Sequence, residues 1–429
     1  MPDTPTHFFD LTRDALIAWC ADHRMPRFRA DQLLQWVYQR GIIDPQQMTD
    51  FSKADRVMLA SQMTFTTGRV VQHQLATDGT QKLLVDWGRI KSEVGSGKAE
   101  VGRKSEVGSR KAEVQKTDTA ALNFPLPTSG FRLSSSGFRL QTECVMIPAE
   151  SKISGKLRRT ACISSQVGCP VGCKFCASGL GGLDDNLTAG RIVEQVWWLN
   201  QVLKSEVGSG KAEVQNAPAT SDFRLPTSDF PAITHIVFMG MGEPLSNFNA
   251  VTAAVRALNA EWAFNLSGRR ITISTVGLPA QIRRLADQLD VPVTLAISLH
   301  APNDELRRQL IPWASFTTIW QILEAGQYYF EKTGREVVLE YILLRQVNDQ
   351  PDHARELAEV AKTLRAKVNL IRYNEVKGIA FGRPDTDDVR RFQQLLQQAG
   401  VNTHIRASRG RDIAAACGQL RHEQASGAA

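Results

Sequence analysis

The sequence predicts an α/β protein: a partial (βα)6 barrel preceded by a small helical domain and a hairpin. Two observations carry that expectation. From Glu143 onward, apolar runs at 159–164, 233–239, 270–274, 292–299, 336–343 and 367–371 alternate with helix-like stretches such as 189–203 and 354–364. Strands separated by helices pair in parallel, and six such units make an incomplete barrel. The other observation is placement. Three closely spaced cysteines follow the first of these strands, at the end where such barrels hold their chemistry.

Ahead of the barrel, Phe28 to Tyr38 sets Leu33, Leu34, Val37 and Tyr38 near one face of a helix. A second helix is expected over 49–63, with Ser52 as its cap. The runs 70–75 and 81–87 flank Asp78-Gly79, a hairpin signal. Two stretches do not fit this pattern. Lys91 to Val101 recurs with a change at Lys104 to Val114 and unchanged at Lys204 to Val214; Ser-Gly-Phe-Arg-Leu occurs at 129–133 and 136–140, with a variant at 221–225. These units are polar, glycine-rich and unevenly spaced, so they bury too little apolar surface to offset the entropy of ordering. They read as disordered insertions in surface loops, where added length costs little. The expected organisation is therefore 1–90, helical domain and hairpin; 91–140, insertion; 141–405, barrel with a second insertion at 204–230; and 406–429, a C-terminal tail.

The chain has 429 residues, a formal charge of +7 and seven cysteines. That charge suits a polyanionic partner without identifying one. An odd, small number of cysteines excludes a secreted disulfide scaffold. The start Met1-Pro2-Asp3-Thr4 lacks a charged-then-apolar signal, and no apolar run has the length of a membrane span, so a reducing cytoplasm is expected.

Cys169, Cys173 and Cys176 stand at C-x3-C-x2-C spacing. Three soft thiolates this close can ligate three irons of a 4Fe-4S cluster and leave the fourth iron open. Zinc prefers four closed ligands, and no further Cys or His completes a local set. An open iron points to S-adenosylmethionine (SAM) bound and reductively cleaved at the cluster, the radical SAM reaction type. One βα unit later comes Gly240-Met241-Gly242-Glu243-Pro244, whose carbonyls and carboxylate suit an amino-acid ammonium group. Ser274, then Ser298-Leu299-His300, then Asn374 mark later strand ends and offer groups for ribose and adenine edges. Cys20 and Cys144 read as buried core thiols. Cys417 is different, because it lies in a glycine-flanked, basic, mobile-looking tail that favours a reactive thiolate.

Together these stretches resemble the RlmN/Cfr family of radical SAM RNA methyltransferases, and within it the adenine-C2 branch, RlmN. The resemblance runs through Gln166 to Cys176, Gly240 to Pro244, Ile271 to Thr275, Ile297 to Asp304, Arg409 to Leu420 and the Phe28 to Tyr38 helix. It implies a cluster on Cys169, Cys173 and Cys176, and SAM contacts from Gly242, Glu243, Ser274, Ser298, Leu299, His300 and Asn374. It further implies that Cys417 becomes S-methylated, that Cys162 resolves it through a transient disulfide, and that Glu143 accepts a proton. In the implied sequence one SAM methylates Cys417 and a second yields a 5′-deoxyadenosyl radical that activates this methyl. The carbon then adds to adenine C2; Glu143 removes the C2 proton, and Cys162 frees the product. The implied substrates are 23S rRNA, at the peptidyl transferase centre, and tRNA anticodon loops. A low-potential donor such as flavodoxin or ferredoxin would supply the electron, to a monomer with no membrane partner. Methylation at C8 is the nearest alternative, since it shares these catalytic residues. A glycyl-radical activating enzyme would need neither Cys162 nor Cys417, and a zinc-stabilised RNA-binding module would show no cluster absorbance. Phosphate contacts are expected from the arginines of 24–40 and 406–411.

Overall fold

All six expected parallel strands form, as Leu157–Cys162, His235–Phe238, Ile271–Thr275, Thr294–Ser298, Val337–Leu343 and Lys367–Arg372, and Thr403–Arg406 adds a seventh. Each pairs in parallel with its neighbour in that order. This is a computed structural model describing residues 5–89, 139–150, 155, 157–208, 232–364 and 366–420. Most of both repeat-bearing stretches lies outside the described residues. Their drawn limits shift all the same: a strand already begins at Arg139, and the Ala189–Gly208 helix runs past 204.

Ile236, Ile271, Ile273, Leu295, Ile297, Leu339, Val368 and Leu370 are buried along the strand centres. Apolar burial of this kind supplies about 25 cal/mol per Å2 removed from water. Amphipathic helices cover them, with Ile282, Ile322, Leu357 and Phe392 turned inward. The helix Ile319–Thr333 illustrates local specification: Thr318 and Gln321 form a capping box, and Gly334 ends it in the left-handed conformation.

The hairpin is not a separate unit with the N-terminal helices. Arg69–Leu75 and Gln81–Arg89 pair antiparallel, and Arg139–Glu150 joins them to Leu157–Cys162, making one ten-stranded sheet. The sheet stays open, with Thr403–Arg406 on one edge and Arg69–Leu75 on the other. It is a partial barrel.

In the N-terminal part, the expected helix face is buried at Leu33, Leu34 and Val37, but the helix is α only over Phe28–Leu34 and continues as a π-turn over Gln35–Arg40. The next helix is Lys53–Gln62, capped by Ser52 as expected. These elements dock on the Ala189–Gly208 helix. Trp197 Nε1 donates to Val37 O at 3.1 Å, and buried Glu194 accepts from the Thr67 and Gly68 amides at 2.9 and 2.8 Å and pairs with His7 at 3.2 Å.

Candidate active site

The cysteine loop leaves the first parallel strand through Gln166–Gly168, a short strand paired with Leu183–Asn186. Gly168 is left-handed (φ 76°), and a Cβ there would lie 2.1 Å from the Gly182 carbonyl oxygen, so only glycine lets the two strands close. Cys169, Cys173 and Cys176 then line one cavity with Phe175, Gly242, Glu243, Ser274, Ser298 and His300. Burial first, and the other thiols after it, push Cys173 up; burial likewise raises Cys169 and Cys176. Backbone N–H groups of Val171 and Gly172 at Cys169, and of Ser178 and Gly179 at Cys176, favour the thiolates instead. Among the described residues, no group of three or more His, Cys, Asp or Glu converges as ligands for a single ion. Three thiols in one cavity, with amide donors at two of them, have the chemistry to hold the irons of a cluster.

Buried Arg307 stands behind this loop. Its guanidinium donates to Leu299 O at 3.2 Å and to Val276 O, and it places a positive charge near Cys173. Leu299 is fully buried and its carbonyl is taken by Arg307, so it supports the wall instead of lining it. His300 does line the cavity, in a left-handed conformation (φ 60°), and its Nδ1 accepts from the Ile342 amide at 3.1 Å. Burial, with Arg307, pushes its pKa down to about 3, so the ring is neutral with the proton on Nε2.

Glu243 is buried, and its two oxygens accept from the Leu245 amide at 2.9 Å and the Val276 amide at 2.7 Å. Burial still lifts it to about 7. A carboxylate desolvated in a cavity wall is the partner an ammonium group would discharge. Gly240 and Gly242 line the cavity, and each also packs closely on a neighbouring segment. A Cβ on Gly240 would meet Ile163 backbone at 2.6 Å, and one on Gly242 would meet Ser165 and Gln166 at 2.7 Å. They let this turn pack on the segment leading to the cysteines. Ser274 Oγ and Ser298 Oγ lie 3.3 Å apart on the same wall.

Cys417 lines the cavity too, but not as part of a loose tail. Ala177 N donates to Gly418 O at 2.8 Å, and Ser178 Oγ to Leu420 O at 2.7 Å, tying its loop to the cysteine loop. Asn374 faces this loop: its Nδ2 donates to Cys417 O at 3.4 Å and its Oδ1 accepts from Arg383. Cys162 lies beneath, packed with Val145, Val237, Met241, Ala415 and Leu420. Burial raises its thiol to about 12, the Cys417 sulfur adding to this and Arg406 opposing it. All seven cysteines are free, so the expected Cys162–Cys417 disulfide is not formed. Cys20 and Cys144 are buried as expected. Glu143 sits one strand over, paired with Lys82 at 2.7 Å.

Some functional groups escaped the sequence reading. Lys82 had no signal beyond being one charge in an alternating strand. Arg406 was expected on phosphate, yet it lines the cavity with its guanidinium on buried Glu340 at 3.2 Å, which Asn369 also holds at 3.0 Å. Glu340, before its other neighbours, keeps Arg406 charged. Arg29 is likewise engaged, by Gln32, Asp50 and the Phe51 ring, whereas Arg24, Arg27 and Arg411 are exposed.

A sequence profile for the ribosomal RNA large subunit methyltransferase N-terminal domain matches residues 6–64, and one for the radical SAM superfamily matches 229–358. A crystal structure of a radical SAM methyltransferase from Sphaerobacter thermophilus aligns with a TM-score of 0.76 at 34% identity, covering 98% of this chain and 100% of that one. Fold and site together define a radical SAM methyltransferase. The probable dual-specificity RNA methyltransferase RlmN of Salinibacter ruber is 37% identical over 96% of this chain and 92% of its own length. The dual-specificity RNA methyltransferase RlmN of Halorhodospira halophila is 38% identical over 97% and 93%. The chain belongs to the RlmN family of radical SAM RNA methyltransferases. No helix among the described residues is long and apolar enough to cross a membrane.

Proposed function

We propose that this chain methylates C2 of an adenosine in 23S rRNA, at the peptidyl transferase centre, and of an adenosine in tRNA anticodon loops, with Cys417 carrying the methyl group. One observation carries the reading: Cys417 shares a cavity wall with Cys169, Cys173 and Cys176, while Cys162 packs under its loop. The relatives' dual-specificity names support more than one RNA target, and the N-terminal profile supports ribosomal RNA as one of them.

In this reading Cys169, Cys173 and Cys176 hold a 4Fe-4S cluster. Glu243 and the Gly242 carbonyl take the amino-acid end of SAM, and Ser274, Ser298 and His300 take the rest. Leu299 and Asn374 act one layer out, through Arg307 and the Cys417 loop. When bound, cluster and SAM supply a reductive cleavage whose radical can activate a methyl group that ordinary displacement cannot deliver to carbon. The chain's own part is positional and protic. Cys417 presents the one-carbon unit from its pinned loop. Glu143, paired with Lys82, accepts the C2 proton. Cys162 then attacks the Cys417 sulfur: the S–S bond forms, the bond from that sulfur to the methylene carbon breaks, and this carbon takes up the proton that the Cys162 thiol gives up, releasing the methylated base; external thiols reduce the disulfide. A base in an RNA loop unstacks at low cost to enter such a cavity. A low-potential donor such as flavodoxin or ferredoxin reduces the cluster, in the cytoplasm, and the working unit is a monomer.

The test is Cys162→Ala. Trapping of a protein–RNA adduct through Cys417 is expected, and clean uncrosslinked enzyme carrying an intact cluster would refute the scheme. Mass spectrometry of RNA from cells lacking the protein should show loss of 2-methyladenosine; loss of 8-methyladenosine instead would move the reaction to C8.

A further inference from the structure

The loop that carries Cys417 leaves the Thr403–Arg406 strand at one edge of the open sheet and meets the hairpin turn at the other. Four contacts join them. Asp78 Oδ2 accepts from the Gly410 amide at 3.1 Å, and Arg409 Nη1 lies 3.9 Å from the same oxygen. Asp412 Oδ2 accepts from the Thr77 amide at 2.9 Å. Lys82 Nζ, itself paired with Glu143 at 2.7 Å, donates to Ala414 O at 3.3 Å. The fit is close as well as polar: Gly410 is left-handed (φ 64°), and a Cβ on it would come 2.8 Å from Thr80 Cγ2 and 2.9 Å from Ala415 Cβ. Ala414 also sits at φ 50°, where a non-glycine residue stays only when its surroundings hold it.

We propose that the turn Thr77–Lys82 is a clasp that sets where Cys417 stands, with Asp78 and Lys82 as its positioning residues. Its catalytic meaning rests on the reading of Cys417 as methyl carrier. The geometry supports a clasp rather than a static buttress. Beyond Cys417 the loop is tied independently to the cysteine loop, through Gly418 and Leu420, and to Glu375 O by Gln419 at 2.8 Å. Releasing the 409–414 side would therefore let Cys417 swing about a fixed end. That thiol has three partners to meet: a methyl donor in the cavity, a base, and Cys162 below. Lys82 links the motion to chemistry, because the ammonium group that holds the loop also holds Glu143. Opening of the loop leaves Lys82 wholly to the carboxylate, and closing shares it.

Hydrogen exchange on the full-length protein reads the clasp without turnover. In Asp78→Ala and, from the other side, Asp412→Ala, amides of 409–416 should exchange about tenfold faster than in the parent. Those of the Gln81–Arg89 strand and SAM affinity should stay unchanged. Asp78→Asn keeps an acceptor for the Gly410 amide and should restore protection. Methyl loading of Cys417, measured as peptide mass, should slow about tenfold in Lys82→Met with the cluster absorbance intact. Unchanged loop exchange in both Asp78→Ala and Asp412→Ala would overturn the clasp, as would unslowed loading in Lys82→Met. Faster exchange together with an unmethylated Cys417 in the active parent would uphold the clasp and sink the methyl-carrier reading instead.

Discussion

Replacing Glu194 by glutamine should loosen the N-terminal domain from the barrel, and the structure sets the size of the effect. Glu194 is 0% exposed and accepts along both oxygens: Oε1 from Gly68 N and Trp198 Nε1, Oε2 from Thr67 N and Oγ1, with His7 Nε2 beside it. An amide group aims its NH2 either at the Gly68 N and Trp198 Nε1 donors or at the Thr67 amide, where the Thr67 hydroxyl can turn to accept, so at least one buried donor is left unmatched. Each buried donor left unmatched costs about 1–3 kcal/mol, and removing one member of a buried charge pair costs about 3–5 kcal/mol. A loss of about 3 kcal/mol, at a urea dependence of about 3 kcal/mol per molar, lowers the unfolding midpoint by about 1 M. Trp197 and Trp198 stand on the same helix, so tryptophan fluorescence follows this junction directly. A Glu194→Gln midpoint equal to that of the parent would refute the reasoning, because then the donors must be content with water.

Other outcomes follow from the same coordinates. Burial disfavours a charged His7, but Asp10 and Glu194 outweigh it and raise its pKa. The stability gained from that charge is full below the unfolded value of about 6.5 and is lost as pH rises through the raised folded one. Urea midpoints of the parent and His7→Gln should therefore differ most near pH 6 and converge in mildly alkaline buffer. Gly242→Ala, at φ 106° and with a Cβ 2.7 Å from Ser165 and Gln166, should destabilise by about 2 kcal/mol or more and abolish SAM binding by calorimetry. Cys20 and Cys144, both fully buried, should resist maleimide in the native protein and react only after unfolding. The parent, reconstituted anaerobically, should develop a cluster absorbance band, and Cys173→Ala should lack it.

The parallel strands were legible because buried strands are continuous apolar runs set between amphipathic helices, a local property of the chain. Thr403–Arg406 was not, since four residues of mixed polarity on a sheet edge carry no such run. The continuity of the hairpin with the barrel was hidden for another reason: the strand that joins them begins at Arg139, amid the repeats. Within the site, Cys169, Cys173 and Cys176 were readable because ligand spacing is local. Lys82 and Arg406 were not, because a charge becomes buried only through a partner distant in sequence, here Glu143 and Glu340. Asn374 faces the Cys417 loop and Leu299 packs behind the cavity wall, both at the strand ends that the apolar runs marked.

The clasp also fixes an order of assembly. Its bonds join residues 332 and 335 positions apart in the chain, among the most non-local in the molecule. Contacts of that separation carry the largest loop-closure cost and form late. The expected order is therefore sheet, helices and the Cys169–Cys176 loop first, and the seating of Cys417 after them. Cys417 is then the last of the cavity's four thiols to be seated, so a partly folded molecule can close the rest of that wall without it.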